Sequence, residues 1–369
     1  MRFLSLLTMV IVVAAAPAGA QVVRDKNGSF FDIAARRDAL KAATAPRVRA
    51  AIEALPPCSA QAPPAPPQGR MLVPMYYLEG NHGPVNPAFA PAEAPYAAME
   101  RAVATAATRH VATGDRSEAE CVLQMLGAWS DVGALLDYAR KESAQAWFTV
   151  EWAAGSAALA LSVARTAPGL DEARLGSVAA WLVKVAEYQL SQVSRTPTDT
   201  TNRNNHAYWR GLMATSVGVV ARNDALFRLG LQTFADAVGE LDEQGAWPLE
   251  MARHERALHY QSFALGPLIL IAELASRQGI DLYALQARGR SIHDAVRFLV
   301  GAIADPSIVA RYTPEPQYLE YLKPGSGEHA WAEFYARRYP QTSAPALLSA
   351  PLFNRRLGGG ATVYAAPLH

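Results

Sequence analysis

Along most of the chain, apolar residues recur at three- and four-residue spacings, the pattern of helices that bury one face. From about residue 96 this predicts helices over 96–112, 117–139, 144–165, 171–193, 205–221, 223–241, 250–278 and 281–303. The breaks between them carry turn chemistry, such as Pro168-Gly169 and Gly245 with Pro248. Connections are short, so neighbouring helices are expected to run antiparallel. There is no strict internal repeat. The expected class is all-α, with one large helical domain.

The flanks read differently. Residues 71–95 are rich in Gly, Pro, Asn and Tyr and are expected to form a long loop over the body, of the kind that serves as a lid. Residues 21–70 read as a poorly packed extension. It holds one helical candidate near Arg36 to Leu55 and the run Ala62-Pro-Pro-Ala-Pro-Pro67, which favours polyproline geometry. Beyond about residue 305 Pro, Gly and Tyr suggest loops and a tail, Arg356-Leu-Gly-Gly-Gly360. At the start, Met1 to Ala20 has Arg2, an apolar run from Phe3 to Pro17 and the ending Ala18-Gly19-Ala20. This is the pattern of a secretory signal cleaved after Ala20. A membrane anchor is the alternative, but the run is short for a bilayer. No later segment reads as membrane-spanning. The protein is therefore expected to be exported, with no membrane partner.

Composition narrows the partners. Hydrophobic residues make up 51% of the 369, enough for a sizeable core, and the net charge is +1. A global basic field is absent, so no nucleic-acid partner is expected. An anionic ligand would have to be met by Arg and Lys placed locally in a cleft. The two cysteines are Cys58, in a loop-like segment, and Cys121, in a predicted helix. Export permits a disulfide that would pin the N-terminal segment to the body; two separate buried thiols are the alternative.

Two constellations carry candidate chemistry. Thr201-Asn-Arg-Asn-Asn-His-Ala-Tyr-Trp-Arg210 opens a helix, with Asn204 and Asn205 where a cap belongs. Free N–H groups and a partial positive charge at such an end suit a carboxylate. His206, Trp209 and Arg210 would share a face. An ordinary capped helix with a buried Trp is the alternative. In the second constellation Arg253, Arg256 and Tyr260 stand at i, i+3 and i+7 of a predicted helix. A phenol near two fixed cations is expected to titrate lower than usual; a solvated Arg face with a core Tyr is the alternative. His254 and His259 are spaced one residue too far apart for the zinc-protease pattern. There is no G-x-S-x-G, phosphate loop or CxxC, so no cofactor and no metal are expected.

In this order the two constellations resemble polysaccharide lyase family 5, the periplasmic alginate lyases acting on poly(β-D-mannuronate). The matching pieces are Glu120-Cys-Val-Leu, Gly127-Ala-Trp129, Asp131-Val-Gly-Ala-Leu135, Asn204-Asn-His-Ala-Tyr-Trp209, Asp242-Glu-Gln-Gly245, Pro248-Leu-Glu250, Arg256-Ala-Leu-His-Tyr260 and Arg356-Leu-Gly-Gly359. The resemblance implies an incomplete α/α toroid over 71–360 with a deep cleft and a lid loop, acting as a monomer. It implies Tyr260 as catalytic acid and base, His206 as base or carboxylate neutraliser, and Asn205 and Arg253 as holders of the substrate carboxylate. Arg203, Tyr208, Trp209 and Arg256 are expected to bind substrate, together with Trp152 and the lid residues Tyr76 and Tyr77. The substrate would be an anionic polysaccharide.

The chain departs from the family in two places. Tyr77 stands where the family's lid carries a Lys, and Glu151 lies close to a cleft meant for a polyanion. Pro248-Leu-Glu-Met-Ala-Arg253 resembles members that also accept polyglucuronate or hyaluronan. Mannuronate-rich alginate is the leading substrate. A broad-specificity polyuronate lyase and a non-catalytic polyuronate-binding protein are the alternatives. A hydrolase would need two carboxylates across a cleft, and no convincing pair is found.

Overall fold

The computed structural model describes residues 21–25, 27–342 and 345–369, so the signal-like stretch Met1–Ala20 lies outside the described residues. Within them the ordered elements are α-helices and short 3-10 turns, with no strand. Two short helices, α1 (Ile33–Leu40) and α2 (Pro46–Glu53), precede the body. The body comprises α3 (Phe89–Thr113), α4 (Arg116–Asp131), α5 (Ala144–Ala164), α6 (Glu172–Ser191), α7 (Asn205–Ala221), α8 (Asp224–Gly239), α9 (Pro248–Met251), α10 (Ala257–Arg277) and α11 (Ile292–Ala304). The C-terminal stretch adds α12 (Trp331–Arg338) and α13 (Ala361–Ala365).

Helices α3, α5, α7 and α10 pack side by side as an inner layer, with α4, α6, α8 and α11 outside them. Sequence and burial agree on this division. Helix α5 is apolar almost all round and buries all but Ala144, whereas α6 buries one stripe, including Val178, Trp181, Leu182 and Val185. Caps fix where each helix starts: Asp115, Ser143, Asp171, Asn204 and Asn223 all accept backbone N–H bonds. Close approach of α7 to α8 depends on missing side chains. A Cβ on Gly218 would meet the Phe227 backbone nitrogen at 2.6 Å, and one on Gly230 would strike Thr215. The result is an arc of antiparallel helix pairs, an incomplete α/α toroid.

Several elements differ from the periodicity. The 117–139 helix stops at Asp131, where Gly133 and Leu135 take positive φ. The 281–303 helix begins at Ile292, behind a Ser291/Asp294 capping box. Helix α3 starts early and carries Pro95 inside it. The 250–278 helix is broken: α9 ends at Met251, His254 takes φ +52°, and α10 begins at Ala257. Arg253, Arg256 and Tyr260 therefore do not form one helical face. By length and apolarity α5 and the stretch His254–Arg277 do qualify as spans, contrary to expectation, yet both lie largely inside the protein.

The N-terminal region is packed, not loose. Phe30 and Phe31 are buried against Tyr364 of α13. Arg36 donates to the carbonyls of Thr362, Val363 and Ala366, and Arg47 pairs with the buried Glu333 of α12. These contacts join the two chain ends, and nothing local in either end announces them. The Pro-rich run lies over α4, where Trp129 donates to the Pro64 carbonyl.

Cys58 is bonded to Cys121 of α4, with Cα atoms 6.5 Å apart, tying the segment before the lid to the body. Replacing both with Ser should lower unfolding stability by about 2–4 kcal/mol, since the loop they close is long. Thermal or urea unfolding measures this; a change under about 0.5 kcal/mol would mean the crosslink constrains little.

Candidate active site

A cleft of about 250 Å³ opens where the N-terminus of α7, the α9–α10 turn and the loop over 71–88 meet. Each wall has a local cause. Tyr76 and Tyr77 come from the loop, which is tied to the start of α5 by Ser143, bonded to both backbone groups of Val73, and by Gln145, which accepts from Tyr76. Phe148 and Trp152, one turn apart on α5, form the floor. Asn205 and His206 are the first residues of α7. Arg253 immediately precedes the 3-10 turn His254–Arg256, and His259, Tyr260 and Phe263 open α10. Glu328, Arg355 and Arg356 arrive from the C-terminal stretch.

Glu250, fully buried on α9, organises the wall behind the cleft. Its carboxylate accepts from the backbone N–H of Asn205 at 2.6 Å and from Asn205 Nδ2 at 2.9 Å. Arg253 Nε lies 3.9 Å from the same carboxylate. The anion seat that the helix start was expected to offer a ligand is thus filled from inside. The broken helix explains it: only with α9 turned away from α10 does Glu250 reach Asn205 while Arg253 faces the cleft.

His206 stacks on Phe148, ring centroids 3.5 Å apart and 16° from parallel. Its Nδ1 has no hydrogen-bond partner among the described residues. Burial, reinforced by Arg253, Arg210 and Arg140, holds its pKa well below the ordinary value, so the ring is neutral. Tyr260 lies under the Arg253 guanidinium, 4.3 Å from the ring centre, with its hydroxyl 3.5 Å from that of Tyr77. Here the sequence expectation fails. Burial raises the phenol more than Arg253 and the Tyr77 contact lower it, so Tyr260 rests protonated. Tyr77 is pushed up further, again by burial first.

The remaining candidates separate. Tyr76, Tyr77, Trp152, Asn205, His206, Arg253 and Tyr260 share the cleft. Arg256 lies beside it, stacked on Tyr318 at 3.7 Å and 5.7 Å from Tyr77. Three do not reach it. Trp209 packs in the core against Phe263, and Tyr208 against Trp247 with its hydroxyl on the Arg203 carbonyl. Arg203 is exposed and paired with Glu240. A helix turns about 100° per residue, so of that stretch only Asn205 and His206 line the opening. Glu151 points away: it is buried and bound to Arg210 and Gln189, with burial raising its pKa to about 7.

Sequence reasoning missed one end of the cleft. Arg355 binds Glu93 and Glu100 of α3 at 2.6 and 2.7 Å. Arg356 lies 3.2 Å from Glu93 and 3.7 Å over the Trp152 ring. His259 faces Glu328 at 3.6 Å. The Arg-Arg pair before Leu-Gly-Gly was the available signal, but it read as a tail.

The sequence profile of the alginate lyase family matches residues 29–309. A polysaccharide lyase of Stenotrophomonas maltophilia is 33% identical over 334 residues, 88% of this chain and 96% of that protein. An alginate lyase of Azotobacter vinelandii is 31% identical over 288 residues, 74% of each chain. Alginate lyase A1-III, solved in complex with a tetrasaccharide, superposes with a TM-score of 0.90 at 41% identity, covering 96% of this chain and all of that one. The enzyme of that name comes from Sphingomonas species A1. With profile, relatives and fold in agreement over most of its length, the chain belongs to the alginate lyase family, polysaccharide lyase family 5.

Proposed function

We propose that the protein cleaves mannuronate-rich alginate by β-elimination, without a metal, leaving a 4,5-unsaturated uronate on one product. The observation that carries this reading is that His206 and Tyr260, from two helices, face one cleft beside Arg253 and Asn205. The proton on C5 of a uronate is only weakly acidic. Arg253, with Asn205 and His206, stabilises the negative charge that spreads into the carboxylate as that proton leaves. A positioned side chain takes the proton and another group protonates O4 as the C4–O4 bond breaks. In mannuronate both atoms lie on one side of the ring, so a Tyr260 phenolate takes the C5 proton and returns it to O4. That route first requires the resting phenol to give its proton to solvent, and the Tyr77 hydroxyl stands 3.5 Å away to donate a hydrogen bond to the phenolate that results.

The resting protonation states favour a second route on guluronate, whose C5 proton lies on the opposite face. Neutral His206 is ready as base and protonated Tyr260 as acid. The relatives support the assignment of the pair. Structures of alginate lyase A1-III with tetrasaccharide are of a Tyr-to-Phe and a His-to-Ala variant. The two changed positions are 54 residues apart along that chain, as His206 and Tyr260 are along this one. The Cys58–Cys121 bond supports action in an oxidising compartment such as the periplasm.

Incubated with polymannuronate, the purified protein should generate the ultraviolet absorbance of the unsaturated uronate, with chelator present. Tyr260→Phe should reduce that rate by about 10²–10⁴ while the melting temperature holds. A variant within a few-fold of the parent would remove Tyr260 from the chemistry. His206→Ala should impair cleavage of guluronate blocks more than of mannuronate blocks if it serves as base; equal losses would assign it to carboxylate binding.

The His206 ring, followed by proton NMR, should titrate below its ordinary 6.5. It therefore stays neutral as pH falls through 6.5 and charges only further down. Arg253→Met should move the midpoint up, because one of the opposing charges is gone. An ordinary or raised midpoint in the parent protein would contradict the burial argument.

A further inference from the structure

Resting on the lyase reading, we infer that Glu328 is a specificity-determining residue. It favours an uncharged sugar over a second uronate where it lines the cleft. Glu328 lines the same cavity as Tyr260, and its neighbour His259 is adjacent to Tyr260 in the chain, their rings 5.5 Å apart. The side chain is 42% exposed, and its one ion pair among the described residues is the 3.6 Å contact with His259. The two arginines on this wall are shared among three carboxylates, Glu328, Glu93 and Glu100, so they do not neutralise it. Arg355 is held by Glu93 and Glu100, and Arg356 lies between Trp152 and the same carboxylates. Although burial raises the Glu328 carboxyl, the contact with His259 and the charges of Arg356 and Arg355 outweigh it, so the group is ionised.

The cleft lining therefore carries both signs of charge. Arg253 has its nearest carboxylate 3.9 Å away and retains charge for a ligand. On the wall beside His259, a carboxylate lines the opening. A polymer with an acid on every ring brings a like charge toward Glu328 whenever a neighbouring ring presents its carboxylate there. A polymer in which uronates alternate with neutral sugars places hydroxyl or amide groups there instead, and these donate hydrogen bonds to a carboxylate. The reacting C4 and C5 are the same in mannuronate and glucuronate, which differ at C2, so the chemistry at Tyr260 does not distinguish the two polymers.

Glu328→Gln keeps the shape and removes the charge. The ratio of kcat/KM on polymannuronate to that on hyaluronan, whose uronates alternate with neutral N-acetyl sugars, should rise about tenfold at low salt. The rise should shrink as salt screens the repulsion. Glu328→Ala should move the ratio the same way. A ratio unchanged within twofold, or falling, overturns the inference. Affinity is read apart from activity by calorimetry of a mannuronate tetramer on Tyr260→Phe, with and without Glu328→Gln. The second change should tighten binding about tenfold. Equal affinities, or no binding to either protein, overturn it. Absence of unsaturated product from the parent protein on every polymer would sink the lyase reading instead, leaving the calorimetry to decide on Glu328.

Discussion

A carboxylate buried without partners is too costly to keep ionised, and this protein spends its buried glutamates as anchors behind the cleft. Glu250 fixes Asn205 through backbone and side chain and stands beside Arg253. Glu151 fixes Arg210. Glu93 and Glu100 fix Arg355 and Arg356. Each anchor joins elements distant in sequence, and each sets where a cleft-lining or cleft-flanking cation stands. The helical arc supplies the frame, but these bonds convert it into a site with defined charge.

The same enclosure determines protonation. Burial disfavours charge on both His206 and Tyr260, in opposite directions on the pH scale: the imidazole gives up its proton early and the phenol keeps its own late. A neutral imidazole and a protonated phenol therefore line the same cleft at rest. Arg253 acts on both, lying over the Tyr260 ring and adding to the forces that keep His206 neutral. It also lines the cleft, so one guanidinium acts on both titrating groups and on the charge of the opening.

The chain ends complete the cleft. Phe30, Phe31, Arg36 and Arg47 hold the C-terminal helices against the inner layer. From that position residues 328, 355 and 356 enter the cavity. The loop over 71–88 covers the opposite side and brings Tyr77 to Tyr260. The lining therefore comes from widely separated stretches, and its balance of charge is a property of their meeting.

By itself the sequence determined the helical class and the positions of most body helices, because burial of one face imposes a 3.6-residue period that is local and countable. It also determined the motif-borne part of the site: Asn205, His206, Arg253 and Tyr260 were legible through a family resemblance, and all four line the cleft. Tertiary structure alone decided what depends on distant partners. Glu250 reaching Asn205 breaks a helix that periodicity draws unbroken. Rotation about α7 sends Trp209 and Tyr208 into the core while His206 faces out. The packing of the two ends turns a tail into a wall bearing Arg355, Arg356 and Glu328. Whether Tyr260 holds its proton was likewise beyond sequence, because burial opposes the neighbouring cation and only the enclosed structure sets which is larger.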